Sequence, residues 1–470
     1  MKNYLMAWRN LWRNKRRTLI TVASVFFAVF FALIMRSLQL GSYDHMFRNV
    51  IESYTGYIQI QHEDFWDNKT IDNVFEFTPD VEKTVLSDNN VQSIIPRFES
   101  FALASSGTLT KGVLVMGIDP EKENLFSDIR GKLVKYRLTE DAITNLKKNY
   151  LPERLKNNLE VFKGNSYSSD GSLKAELGIS KQEESEMMPL FNKYACFNNG
   201  YIKNGEPGAL IGDRLSHYLQ LNIGDTIVLI GQGYHGTTAA AKFKVSGIVR
   251  LPTPDIDNMI VYIPLDICQE FYNAPGMLTS LALYVEDNND KEINSMIPRI
   301  GAKLNSPLRV IGWREMNEVI VNQMAADNMS GGVMIGILYL VIAFGIFGTV
   351  LMMTAERRRE FGVLVAVGMQ KTKLAAVVTI EMLYIGVMGI LSGSAIALPL
   401  IYIGYYNPIR FGGEMAKMYE DYGMEPVMPF LPIDWYFFWQ TVVVAIIVVI
   451  AVIYPFRKIF KMKVVNSLKA

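Results

Sequence analysis

Four stretches of the chain are apolar, nearly free of charge and long enough to cross about 30 Å of hydrocarbon as helices. They cover residues 18–40, 333–354, 374–403 and 435–456. Between the first and the second the period changes. Short runs rich in β-branched residues and bounded by turn residues read as strands. They are Tyr57-Ile58-Gln59-Ile60-Gln61, Gly112-Val113-Leu114-Val115-Met116-Gly117, Thr226-Ile227-Val228-Leu229-Ile230, Lys242-Phe243-Lys244-Val245-Ser246-Gly247-Ile248-Val249 and Met259-Ile260-Val261-Tyr262-Ile263. A helical run over 213–221 precedes the turn Asn222-Ile223-Gly224-Asp225. The pattern predicts a membrane protein: four transmembrane α-helices with a large α+β domain, residues 56–312, between helices 1 and 2.

The helical spacing continues past the apolar runs. Leu38, Leu40, Met46, Phe47, Val50 and Ile51 carry it through 41–55, and Met316, Val319, Ile320, Gln323 and Met324 carry it through 313–332. These segments are expected to form two stalks, stiff enough to pass on a motion that a flexible linker would absorb. Residues 131–203 depart from the strand pattern. They are rich in Lys, Glu, Asn and Ser, contain Leu155, Leu159, Val161 and Phe162, and read as a partly helical insertion, either a solvated decoration or a docking surface.

Charge orients the spans. The short segment 355–373 must stay on one side of the membrane, and Arg357, Arg358, Arg359, Lys371 and Lys373 outweigh Glu356 and Glu360 there. Residues 1–17 carry Lys2, Arg9, Arg13, Lys15, Arg16 and Arg17 with no acid, and the tail 457–470 carries Arg457, Lys458, Lys461, Lys463 and Lys469. An excess of Lys and Arg marks cytoplasmic segments, so all three are expected inside. The loop 404–434, with Glu414, Glu420, Asp421, Glu425 and Asp434 against Arg410 and Lys417, is expected outside with the large domain. Tyr4, Trp8, Leu11 and Trp12 share one face of a basic helix, the pattern of a segment lying on the inner membrane surface. The run after it is long for a signal peptide and lacks a small-x-small cleavage site, so it reads as an uncleaved span.

Composition refines this picture. Over 470 residues, 50% hydrophobic and 20% charged content with a mean hydropathy of +0.15 means spans mixed with a sizeable aqueous part. A net charge of +1 gives no electrostatic case for a nucleic-acid partner. Cys196 and Cys268 both fall in the outer domain, where a disulfide is permitted but not specified, and neither has metal-ligand spacing. Gly231-Gln232-Gly233-Tyr234-His235-Gly236 spells G-x-G-x-x-G after a strand. A dinucleotide site would need that turn to open a helix, and the next strand follows too soon, so it reads as a glycine-rich hairpin. The sequence has no Walker A pattern, its four histidines are scattered, and it shows no nucleophile motif. Catalysis and a bound cofactor are not expected on this chain.

Two features carry candidate chemistry. Phe361, Leu364, Val365 and Gly368 recur at helical spacing and predict an amphipathic helix on the cytoplasmic side. In the third span Glu381 is an ionisable group in an apolar run, which must face protein, water or the membrane boundary. It reads as a structural hydrogen-bonding group or as a coupling one. Gly386, Gly389 and Gly393 on the same span allow close helix packing.

The run Glu356-Arg357-Arg358-Arg359-Glu360-Phe361-Gly362-Val363-Leu364-Val365-Ala366-Val367-Gly368-Met369 resembles the coupling helix of the MacB, FtsX and LolC/LolE permeases of ATP-binding-cassette systems. Further motifs are similar to that family: Trp8-Arg9-Asn10-Leu11-Trp12-Arg13-Asn14-Lys15-Arg16-Arg17-Thr18, Gly117-Ile118-Asp119-Pro120, Phe243-Lys244-Val245-Ser246-Gly247-Ile248, Val261-Tyr262-Ile263-Pro264-Leu265, and the closing Tyr454-Pro455-Phe456-Arg457-Lys458 with Val465-Asn466-Ser467-Leu468. The resemblance implies that Glu356, Arg357, Arg358, Glu360, Phe361, Gly362, Leu364 and Gly368 meet a cytoplasmic ATPase dimer, which would hold the ATP. It also implies a second permease chain, the same or homologous, in a bacterial inner membrane with the large domain in the periplasm.

Tyr57-Ile58-Gln59-Ile60 is most similar to the lipoprotein-releasing branch, which implies a lipoprotein substrate and a periplasmic carrier. That branch has members with a long proline-containing hook where this chain has the short hairpin over 231–241. The non-hooked partner, a MacB-like exporter, and an FtsX-like scaffold that activates a cell-wall hydrolase therefore all stay open.

Overall fold

In hydrocarbon a backbone can satisfy its polar groups only within helices or closed barrels, so long apolar runs become helices. The computed structural model describes residues 2–13, 15–421 and 425–461. Lys463, Lys469 and the motif Val465-Asn466-Ser467-Leu468 lie outside the described residues. Among the described residues four helices are long and apolar enough to cross a membrane. The chain divides into a membrane unit, Met1–His45 with Asn322–Ile409 and Val427–Ala470, and an aqueous unit, Met46–Val321 with Arg410–Pro426.

The membrane unit contains α1 (Lys2–Arg13), most of α2 (Lys15–Val50) and of α3 (Glu318–Glu356), the short α4 (Arg358–Ala366), α5 (Lys371–Tyr406) and α6 (Trp435–Phe460). At 1.5 Å per residue α3 is about 58 Å long, nearly twice the hydrocarbon thickness. The interior is apolar, with Val25, Val29, Leu33, Ile346, Met382 and Val448 among its buried residues. Glycines on α5 let the backbones approach. A Cβ at Gly386 would lie 2.6 Å from Val448, one at Gly389 2.5 Å from Val25, and one at Gly393 2.8 Å from the carbonyl of Phe26.

The aqueous unit is organised by one sheet. Its strands are β1 (Ile58–His62), β2 (Val91–Ser106), β3 (Leu109–Ile118), β4 (Gly208–Gly212), β5 (Thr226–Gln232), β6 (Thr238–Val249), β7 (Ile260–Pro264), β8 (Ser280–Val285) and β9 (Leu308–Gly312). They pair in the order β9-β1-β8-β2-β3-β7-β4-β6-β5. β2 also pairs with β5, Leu103 opposite Ile230, so six strands from β2 to β5 close into a ring. Phe98, Val115, Ile211, Phe243 and Ile263 belong to the core of this ring. β9, β1 and β8 extend it as a second lobe, with Ile60, Leu283, Met296 and Ile300 in a separate core that includes the helix Asp290–Gly301. β2 is long enough to serve both lobes, pairing with β8 through Val91 to Arg97 and with β5 through Ala102 to Ser105.

Strand β2 is absent from the strands read in the sequence for a physical reason. Arg97 and Glu99, 0% and 8% exposed, interrupt its apolar alternation, and Pro96 precedes them. Arg97 holds Glu123 through both oxygens at 2.6 and 2.9 Å and also donates to the carbonyl of Tyr54. Glu99 accepts from the Tyr54 hydroxyl at 2.9 Å. Tyr54 lies in a π-helical turn, Ile51–Thr55, that follows α2, so the expected stalk over 41–55 ends in a wider turn. The other expected stalk is likewise broken. A short helix, Trp313–Met316, precedes α3, and Asn317 leaves helical geometry to bond the carbonyl of Trp313 at 2.8 Å.

The segment 131–203 forms a small body of its own. Helices Glu140–Lys147, Glu153–Val161, Asp170–Leu177 and Glu184–Tyr194 enclose Leu146, Leu155, Leu159, Leu173, Leu177 and Phe191. Val161 stays exposed, with a Cβ at Gly412 coming within 2.7 Å of it. Cys196 is exposed, Cys268 is buried and both are free thiols. The glycine-rich run over 231–236 joins β5 to β6 and opens no α-helix.

Breaking a buried ion pair from one side leaves a charge without compensation, at a cost of about 3–5 kcal/mol, whereas removing both partners is far milder. Arg97→Met should therefore lower the urea concentration at which the aqueous unit becomes protease-sensitive. Adding Glu123→Met should restore most of the loss. Equal resistance of Arg97→Met and the parent chain would show that this pair does not hold the turn at Tyr54.

Candidate functional site

Three helices meet where α3 ends. Glu356 is its last residue, Arg357 leaves helical geometry as the N-cap of α4, and α5 begins at Lys371 after Gln370. A Schellman arrangement closes α4: the Met369 amide donates to Leu364 at 3.0 Å and the Gly368 amide to Val365 at 3.1 Å. Gly368 takes φ +108°, which a side chain would disfavour. It therefore ends the helix rather than extending the face expected to include it.

Arg357 and Glu381 are 7% and 2% exposed. One guanidinium nitrogen, Nη1, reaches both carboxylate oxygens of Glu381, at 2.7 and 2.8 Å. The guanidinium also lies 5.2 Å from the centre of the Phe361 ring. Arg357 Nε faces Glu360 at 3.4 Å, and Glu360 accepts from Arg13 of α1 at 2.6 Å. A row of alternating charges, Arg13, Glu360, Arg357, Glu381, thus links α1, α4 and α5. Its outer pair is about half exposed, where such pairs contribute at most about 1 kcal/mol. Its inner pair is buried, where the loss of either partner is costly.

The same face of α4 is held by apolar contacts. Phe361 packs with Leu374, Ala375, Val378 and Ile459, and Val365 and Met369 adjoin them. The predicted site residues consequently divide. Arg357, Phe361 and Gly362 face inward, while Glu356, Arg358, Glu360, Leu364 and Gly368 are exposed. The expected apolar face of Phe361, Leu364, Val365 and Gly368 is corrected to Phe361, Val365 and Met369, because anchoring Arg357 to Glu381 sets the rotation of the helix. Arg359, Val363, Ala366 and Val367 are exposed as well, and the sequence reading does not count them among the site residues. Val363 is 46% and Val367 83% exposed. Their spacing from Leu364 and Glu360 was legible, but the side they face depends on the ion pair.

Trp8 of α1 lies edge-on to Tyr384 of α5, ring centres 5.8 Å apart, while Leu11 is buried and Tyr4 and Trp12 stay half exposed. Gly386 packs on α6, and Gly389 and Gly393 pack on α2. The described residues contain no cluster of metal-ligating side chains.

The described residues thus combine four helices long and apolar enough to cross a membrane, a short charged helix between the second and the third, and a large α/β domain between the first and the second. Residues 332–464, which contain α4 and Glu381, match the family described as FtsX-like permease C-terminal. Over that stretch the chain is similar to the FtsX-like permeases.

It is 20% identical over 221 residues to the lipoprotein-releasing system transmembrane protein LolC of Xylella fastidiosa, covering 46% of this chain and 53% of that protein. It is 23% identical over 230 residues to an uncharacterised ABC transporter permease of Methanocaldococcus jannaschii, covering 46% and 51%. The chain thus spans about half the length of the curated relatives it matches. The periplasmic region of MacB from Actinobacillus actinomycetemcomitans aligns with 58% of this chain and 96% of that one, at a TM-score of 0.31 and 11% identity.

Replacing Glu381 by Gln leaves the Arg357 guanidinium buried without its anion. The purified chain in detergent should lose thermal stability by an amount corresponding to about 3–5 kcal/mol. The exchange Arg357→Glu with Glu381→Arg should recover at least half of that loss. No recovery would mean that the contact is not an ion-pair lock.

Proposed function

We propose that this chain is the permease subunit of an ABC transporter, with α4 as the element that receives motion from a separate ATPase. The observation that carries the reading is the two-sidedness of α4. One face is fixed to α5 by Arg357, Phe361 and Val365, and the other presents Val363, Leu364 and Val367 among Arg358, Arg359 and Glu360. A short helix so held passes on a push instead of yielding to it. Its exposed side, apolar at the centre and charged at the rim, has the composition of a protein-binding patch.

In this reading a cytoplasmic ATPase dimer binds and hydrolyses the ATP, two permease chains act together, and both termini face the cytoplasm. The large domain works in the periplasm, outside the inner membrane. Similarity to LolC proteins supports a lipoprotein cargo that is released from the outer leaflet to a periplasmic carrier. The short connection between Gln232 and Thr238 favours a second reading, a MacB-like exporter without a projecting arm.

Val363→Asp with Val367→Asp should abolish co-purification of the ATPase while leaving the thermal stability of the permease unchanged, because both side chains are exposed. A bulky residue at buried Gly362 would confound that test. Retained ATPase binding by the double variant would refute α4 as the docking element. In spheroplasts, withdrawal of the permease should leave lipoproteins in the inner membrane if release is its work. If lipoproteins sort normally and a soluble compound accumulates inside, the exporter reading replaces it.

A further inference from the structure

We propose that α6 and α3 form a binding site for an anionic diacyl phospholipid in the leaflet on the α4 side of the membrane. A groove of about 530 Å3 lies there. Its apolar half is made by Phe347 of α3 with Ile450, Ile453 and Tyr454 of α6, the rings of Phe347 and Tyr454 meeting edge-on at 5.4 Å. Its other half is made by Arg457, Lys458 and Lys461.

Along α6 and its C-cap Lys461 these positions fall at i, i+3, i+4, i+7, i+8 and i+11, a single helical face that changes from apolar to cationic along its length. From Ile450 to Lys461 the stripe covers about 16 Å of helix, close to the depth of one leaflet. A free phosphate would use only the last turn; a lipid uses all of it, its chains against Phe347, Ile450 and Ile453 and its phosphate among the cations. Ile450 and Ile453, 60% and 44% exposed, leave that surface open.

The cations are what select an anionic headgroup. Arg13 and Arg357 are matched by carboxylates, but Arg457, Lys458 and Lys461 are all exposed and have no acidic partner among the described residues. Three long side chains at the membrane boundary can reach to the headgroup level and converge on one phosphate. The end of α6 lies beside the α4 region, since Ile459 packs on Phe361 and Lys371 donates to the carbonyl of Phe460 at 3.4 Å. The site rests only on α6 and α3 spanning the membrane, not on α4 binding an ATPase, so the two readings can fail separately.

The test is native mass spectrometry of the full chain purified in detergent and titrated with phosphatidylglycerol, phosphatidylcholine or inorganic phosphate. The expected result is retention of phosphatidylglycerol over phosphatidylcholine. That retention should fall roughly tenfold or more in the triple variant Arg457→Gln, Lys458→Gln, Lys461→Gln, stay near the parent level in Lys15→Gln, Arg16→Gln, and resist inorganic phosphate. Equal retention of both lipids would overturn the proposal, as would an unaffected triple variant. A matching loss in the Lys15, Arg16 variant would reduce the effect to surface charge, and displacement by inorganic phosphate would make the groove an anion site. Efficient disulfide crosslinking of Ile450→Cys between two copies would show that a second chain fills the groove.

Discussion

The ion pair between Arg357 and Glu381 is the constraint on which the membrane unit depends. Two charges are buried in a membrane unit whose other buried polar groups are uncharged, and each is tolerable only because the other lies within hydrogen-bonding distance. The pair sets the rotation of α4, fixes which side chains it buries against α5, and leaves Val363, Leu364 and Val367 outward. Through Glu360 the same charges reach Arg13, so α1 is tied to the same point.

A second buried ion pair plays the corresponding part in the aqueous unit. Arg97 joins β2 to Glu123 and to the carbonyl of Tyr54 in the π-helical turn after α2. In such a turn a backbone carbonyl loses its regular helical partner, and the guanidinium supplies one. In each unit a buried ion pair is thus placed where the helical backbone changes its geometry.

The sequence made the four spans legible because uncharged length is an unambiguous signal, five of the strands because their periods are regular, and the partly helical insertion because its composition departs from theirs. It obscured β2 because Arg97 and Glu99 look like surface residues until Glu123 and Tyr54 are seen beside them. The site was legible as a segment but not as a surface. Helical spacing places Phe361 with both Leu364 and Val365, and only the pairing of Arg357 with a residue 24 positions away decides which of the two is buried. Gly368 shows the same limit: its place in the pattern suggested packing, while its φ of +108° makes it the end of the helix.

The small helical body over residues 131–203 brings its own apolar centre; its ends come together where Tyr136 is bridged to Cys196, and Leu133 is bridged to Val249 of β6. Such a module packs largely on itself, and the ring of strands that carries it keeps its own register. A change inside its apolar centre would leave the core of the ring untouched.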